Sequence, residues 1–142
     1  MPLINFGSIL NFAEDIESQD AEYYARAAET QAGAPHKDLF GRLAADARKR
    51  VKVVQRTRRE NVTEMILEPI QDFTRAPFQC SLPDVAGSDT DKLLGCAREM
   101  ETRALAYYQE AAAKLKALPE VARELKRLAK KRKAHLNQLE AL

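Results

Sequence analysis

The strongest constraint on the fold is a repeat inside the chain. Ala13-Glu14-Asp15-Ile16-Glu17, followed by Tyr23-Tyr24, returns 84 residues later as Ala97-Arg98-Glu99-Met100-Glu101, followed by Tyr107-Tyr108. Leu43-Ala44 through Arg50 returns 85 residues later as Leu128-Ala129 through His135. Two separate segments with almost the same offset imply that a two-helix unit occurs twice, so equivalent positions can be compared within one sequence.

Four stretches carry apolar residues at three- and four-residue spacing with little Gly or Pro inside them. The spacing predicts a first helix starting after Gly7-Ser8, with Ser8 as cap, and ending near Gly33-Ala34-Pro35. A second runs from about His36 to Leu67, before Pro69, and a third starts behind Ser88-Asp89 and ends near Leu118. The fourth opens on Pro119, whose missing N–H costs nothing in a first turn, and runs to the C-terminus. Short links join one to two and three to four, whereas residues 68–88, with Pro69, Pro77, Pro83 and Gly87, form a long crossover. Short, long, short is the wiring of an all-α four-helix bundle made of two antiparallel hairpins, with Phe73, Phe78 and Leu82 pinning the crossover to its side.

A chain of 142 residues, 45% apolar and 31% charged, fits a single domain spanning 1–142. No segment approaches the roughly 18 uninterrupted apolar residues of a membrane span, and the N-terminus lacks the basic-then-apolar layout of a signal peptide. The expectation is a cytoplasmic protein with no membrane partner. Cys80 and Cys96 are too few and too far apart for a disulfide framework or paired Cys-x-x-Cys metal sites, and are expected to be reduced and structural.

The inward-facing stripes are not uniformly apolar. Helix four gives Val121, Leu125, Leu128, Arg132, His135, Leu139, Leu142, and helix two gives Phe40, Leu43, Ala47, Arg50, Val54. Helices one and three give Leu10, Ala13, Glu17, Tyr24 and Leu94, Ala97, Glu101, Tyr108. The repeat sets Glu17 against Glu101, Arg50 against His135 and Ala47 against Arg132, so the six are expected to form one central layer. Burying an ion costs on the order of several kcal/mol. Charges placed equivalently by a repeat therefore demand partners.

Glu17-Ser18-Gln19 with Tyr24, the matching Glu101 with Tyr108, and Leu128-Ala129 to His135 resemble the rubrerythrin branch of the ferritin-like proteins over essentially all four helices. The resemblance implies a ferritin-like bundle, often a homodimer, built around a carboxylate-bridged di-iron centre. One Glu comes from each of helices one and three, and a Glu-x-x-His pair from each of helices two and four. Carried over by position, Glu17, Glu101 and His135 match ligands. Ala47 stands in place of the helix-two Glu, Arg50 in place of its His, and Arg132 in place of the helix-four Glu.

Charge decides what that layer does. Four carboxylates need metal ions or protons for balance, whereas Glu17 and Glu101 against Arg50 and Arg132 are neutral with His135 uncharged. A guanidinium grips a carboxylate with fixed donors and can fill the place of an ion. The expectation is a degenerate di-iron site in which a buried network of Glu17, Arg50, Glu101, Arg132 and His135 replaces the metal. No cofactor is then expected, and the role is non-enzymatic, structural or interactive, with the protein partner unspecified. Tyr24 and Tyr108 are candidates to orient the carboxylates or simply to fill core volume. In the alternative, both arginines turn to solvent. Glu17, Glu101 and His135, helped by Glu14 or Asp20, then hold iron or zinc in a redox protein that reduces peroxide or oxidises ferrous iron.

Charge is uneven along the chain. Residues 8–31 carry six acidic and one basic residue, 36–66 four acidic and nine basic, and 119–142 three acidic and seven basic. Acidic and basic helices side by side satisfy much of this internally. The runs Arg48-Lys49-Arg50-Val51-Lys52 and Lys130-Lys131-Arg132-Lys133 have the makings of a phosphate-binding stripe. With aromatic content of only 6%, few rings can stack on bases, and nucleic acid is not an expected partner.

Overall fold

The structure, a computed structural model, describes residues 3, 5–61, 70, 72–80, 82 and 85–142. Four long helices dominate them: α1 (Phe6–Glu29), α2 (Lys37–Glu60), α3 (Thr90–Lys114) and α4 (Pro119–Glu140). Short 3-10 turns lie at Ala34–His36, Ala76–Phe78 and Val85–Gly87, and the described residues contain no strand. None of the described helices is long and apolar enough to cross a membrane.

The helix ends follow local chemistry. Asn5, rather than Ser8, caps α1: Asn5 Oδ1 accepts from the Ser8 N–H at 2.8 Å, and Ser8 Oγ accepts from the Asn5 N–H at 3.2 Å. That reciprocal pair satisfies two otherwise free amides and moves the start upstream of the sequence expectation. At α3, Asp89 Oδ1 accepts from the Lys92 N–H at 2.8 Å, and α4 begins on Pro119 as its sequence predicts. The turn after α1 takes glycine, because a Cβ on Gly33 would lie 1.9 Å from the Ala27 carbonyl oxygen. The described part of α2 ends at Glu60 with Asn61 beyond it. Its expected continuation to Leu67, and the start of the 68–88 crossover, lie outside the described residues.

α1 packs along α2, and α3 along α4. Contacts of Arg58 with Asn11, Arg50 with Glu17 and Phe40 with Tyr24 descend one helix as they climb the other, so α1 and α2 are antiparallel. On the crossover, the Phe73 ring stacks on Tyr107 with centroids 5.4 Å apart. Phe78 meets Tyr107 edge-on at 5.2 Å, and Leu82 is half-buried against the other end of the core. The Leu3 N–H donates to the Phe73 carbonyl at 2.8 Å, drawing the N-terminal segment onto the same patch.

The core is split. One apolar cluster gathers Leu3, Phe6, Ile9, Leu10, Phe12, Ala13 and Ile16 with Val54, Phe73, Tyr107, Tyr108, Leu115, Val121, Leu125 and Leu128, and a second gathers Tyr23, Tyr24 and Ala27 with Leu39, Phe40, Leu43, Val85, Leu93, Leu94, Met100 and Leu139. The gap between them falls at Glu17–Asp20 in α1, Arg50 in α2, Glu101–Arg103 in α3 and Arg132–His135 in α4. All four helices thus interrupt their apolar stripes at one level. There the buried charge lies.

Candidate functional site

Arg132 occupies the middle of that level with no exposed surface. From α4 its Nη2 donates to Glu17 Oε1 at 2.8 Å, and its Nη1 to Glu101 Oε1 at 2.9 Å. Asp20 Oδ2 lies 2.8 Å from Arg132 Nη2 but off its N–H axes, an ion pair without an aligned hydrogen bond. Arg50 enters from α2 and donates through Nε to Glu17 Oε1 at 2.8 Å. Glu17 Oε1 thus accepts from two guanidiniums.

A third guanidinium extends the layer beyond the sequence expectation. Arg103 Nη2 donates to Asp20 Oδ1 at 2.9 Å, and Arg103 Nε to the free thiol of Cys80 at 3.2 Å. Three buried carboxylates, Glu17, Asp20 and Glu101, therefore face three guanidiniums, Arg50, Arg103 and Arg132. The neutrality expected from four side chains holds for six. Asp20 follows Glu17 by three residues on the same helical face, and Arg103 follows Met100 by three and precedes Tyr107 by four. Those spacings were the available signal for both.

The tyrosines bond across the bundle. Tyr24 on α1 donates its hydroxyl to Glu101 Oε1 on α3 at 2.8 Å, and Tyr108 on α3 donates to Glu17 Oε2 on α1. Both orient carboxylates, each that of the opposite half. Ala47 is fully buried.

Burial and charge set the ionisation of the layer. Burial pushes the Glu17 carboxyl up, but Arg132 and Arg50 outweigh it and hold the group below its usual value. Asp20 stays above its usual value, because burial exceeds the pull of Arg132 and Arg103. Burial would lower Arg132, yet Glu101, Glu17 and Asp20 together hold it well above the ordinary guanidinium range. Burial raises both tyrosines well above theirs, reinforced by Glu101 for Tyr24 and by Glu17 for Tyr108. They remain neutral donors.

His135 stands at the rim rather than inside the cage. Its Nε2 lies 3.0 Å from Asp46 Oδ2, its Nδ1 lies 3.5 Å from Arg50 Nη1, and Glu101 Oε1 is 3.9 Å away. Arginine can only donate, so Nδ1 carries the lone pair and Nε2–H donates to Asp46. Burial lowers the His135 pKa, as do Arg50 and Arg132, against opposing pulls from Glu101 and Asp46. The unfolded chain therefore takes up a proton near 6.5 that the native ring refuses until lower pH. Stability is expected to be flat at higher pH, to fall as pH drops through the unfolded value, and to level off below the native one. Urea midpoints between about pH 8 and about pH 5.5 should show this decline, and His135→Gln should flatten it.

The donor set does not suit a metal ion. Oε1 of each glutamate already accepts from guanidiniums at 2.8–2.9 Å, so any cation placed among these carboxylates would sit beside two buried positive charges. Among the described residues no group of three or more His, Cys, Asp or Glu side chains is arranged to hold a metal. No protein-family model matches the chain, and neither curated proteins nor solved structures match it.

Proposed function

We propose that this chain is a ferritin-like bundle of the rubrerythrin type, built of two duplicated hairpins, in which a metal centre has been replaced by internal ion pairs. Its role is non-enzymatic, as a structural or interaction module. One observation carries the reading: the Arg132 guanidinium sits among Glu17, Asp20 and Glu101, at 2.8–2.9 Å from each. The helix-three and helix-one glutamates and the helix-four histidine stand where the resemblance expects ligands. The positions that would complete the set carry Ala47, Arg50 and Arg132. A guanidinium supplies fixed positive charge and directional donors, which satisfies the carboxylates without redox chemistry.

Metal analysis and calorimetry test the proposal together. Protein produced with iron supplementation is expected to purify with far less than one iron per chain, to melt at the same temperature with and without chelator, and to consume no peroxide with added ferrous iron. Stoichiometric iron with peroxide turnover would overturn it. The resemblance also carries a homodimer into the proposal, which light scattering on purified protein checks directly.

A further inference from the structure

The two basic runs converge on one cavity. Between α2 and α4, about 340 Å³ of space is bounded by Asp46, Lys49, Arg50, Lys131, His135 and Gln138. Its floor is the outer side of the charged layer, the buried Arg50 and the His135 ring. Its mouth is formed by exposed Lys49, Lys131 and Gln138. Arg50 uses Nε on Glu17 and Nη1 toward His135 Nδ1, while its Nη2, although buried, has no partner among the described residues. A buried guanidinium nitrogen left without an acceptor loses its hydration without replacement. An anion against the cavity face of Arg50 would offset its buried charge.

We propose that this cavity binds a small oxyanion of the phosphate type. The anion lies against the cavity face of the Arg50 side chain and between the ammonium groups of Lys49 and Lys131 at the mouth. It competes with Asp46 for the Nε2–H of His135. Guanidinium and ammonium donors converging with an imidazole N–H match an oxyanion with several acceptor oxygens. They suit no cation and no apolar ligand. Asp46 is the one carboxylate lining the cavity, and it already satisfies His135 at 3.0 Å, so it acts as an internal competitor that an incoming anion displaces. The volume exceeds that of a bare tetrahedral ion, leaving room for the organic part of a small monoester. The site stands whether or not the layer descends from a metal centre.

Calorimetric titration with sulfate, inorganic phosphate and glycerol phosphate, each against chloride at equal ionic strength, tests it. Sulfate keeps its charge across neutral pH, so its pH dependence reports the protein alone. The chain has two histidines, His36 and His135, so imidazole nitrogen spectra give a local readout. Saturable binding of an oxyanion is expected to shift the His135 signal and leave His36 still. The Lys49→Glu/Lys131→Glu variant, altered only at exposed positions, should bind about tenfold more weakly or worse, and Asp46→Asn should bind more tightly. Binding should also strengthen as pH falls, because protonated His135, surrounded by Asp46, Arg50, Glu101 and Arg132, gains an anionic partner. Tighter binding of the ester assigns the spare volume to an organic substituent, and preference for the free ion assigns the site to the ion; both support the proposal. Equal response to chloride, movement of both histidines alike, or unchanged affinity in the double lysine variant would overturn it.

Discussion

Replacing Arg132 with methionine is expected to destabilise the protein by about 3–5 kcal/mol, as for other buried ion pairs that lose one partner. Methionine is flexible and apolar and can occupy much of the arginine's volume, so the loss reports charge more than cavity. After the change Glu17 keeps Arg50 and Asp20 keeps Arg103, but Glu101 is left with the Tyr24 hydroxyl and His135 3.9 Å away. An ionised Glu101 buried without a guanidinium is an uncompensated charge, and the penalty lasts as long as the charge does. The variant should therefore gain stability on mild acidification, whereas the parent, governed by His135 in that range, should lose it. Adding Glu101→Gln to Arg132→Met should recover part of the loss at neutral pH and abolish the gain on acidification. Glu101→Gln alone should lower the melting temperature by depriving Arg132 of a counter-charge. Urea unfolding of the three variants across pH completes a double-mutant cycle. A loss below about 1 kcal/mol for Arg132→Met, in the range of exposed ion pairs, would mean that the layer is hydrated rather than buried.

The network also explains where the sequence was readable and where it was not. Helix positions followed from apolar spacing and from Asp89 and Pro119, because caps and first-turn prolines act through bonds to neighbours in sequence. The start of α1 shifted because a capping box uses both Asn5 and Ser8, and sequence alone does not say which is the cap. Glu17, Arg50, Glu101 and Arg132 were visible as charges on otherwise apolar stripes. Asp20 and Arg103 were harder to see, since each lies beside the apolar stripe of its helix and four packed helices bury a wider face. The repeat equates Arg50 with His135, but one guanidinium already bridges Glu17 and Glu101, leaving no vacancy for His135 in the cage. Repeat symmetry specifies equivalent backbones; competition for the same carboxylates breaks it. The tyrosine crossing has a similar origin: inward-pointing side chains meet what faces them from the opposite helix.

Stability alone does not account for keeping six charges in a core. Well-packed apolar replacements of buried ion pairs are often neutral or more stable by about 1–4 kcal/mol. The layer does fix register, because Glu17 bonds to three other helices and Arg132 to two, and a slip would strand several charges at once. If the arginines replaced metal, reversing the replacement should restore metal dependence. The variant Ala47→Glu/Arg50→His/Arg132→Glu adds two carboxylates and removes two guanidiniums, leaving Asp20 and Arg103 to neutralise one another. Shortening residues 50 and 132 also makes room beside the fully buried Ala47 position for a longer side chain. Without metal the variant is expected to be unfolded or molten at neutral pH, because four uncompensated carboxylates share one buried level. Ferrous, manganous or zinc ions should refold it, with stabilisation growing as RT ln(1 + [L]/Kd), about 2.7 kcal/mol at a hundredfold excess over Kd. The parent should not respond to the same ions. Circular dichroism melts across a metal titration read both arms, and far-ultraviolet helicity separates refolding from aggregation. A triple variant that stays folded and indifferent to metal, or that no metal can refold, would show that these four helices never framed a metal centre.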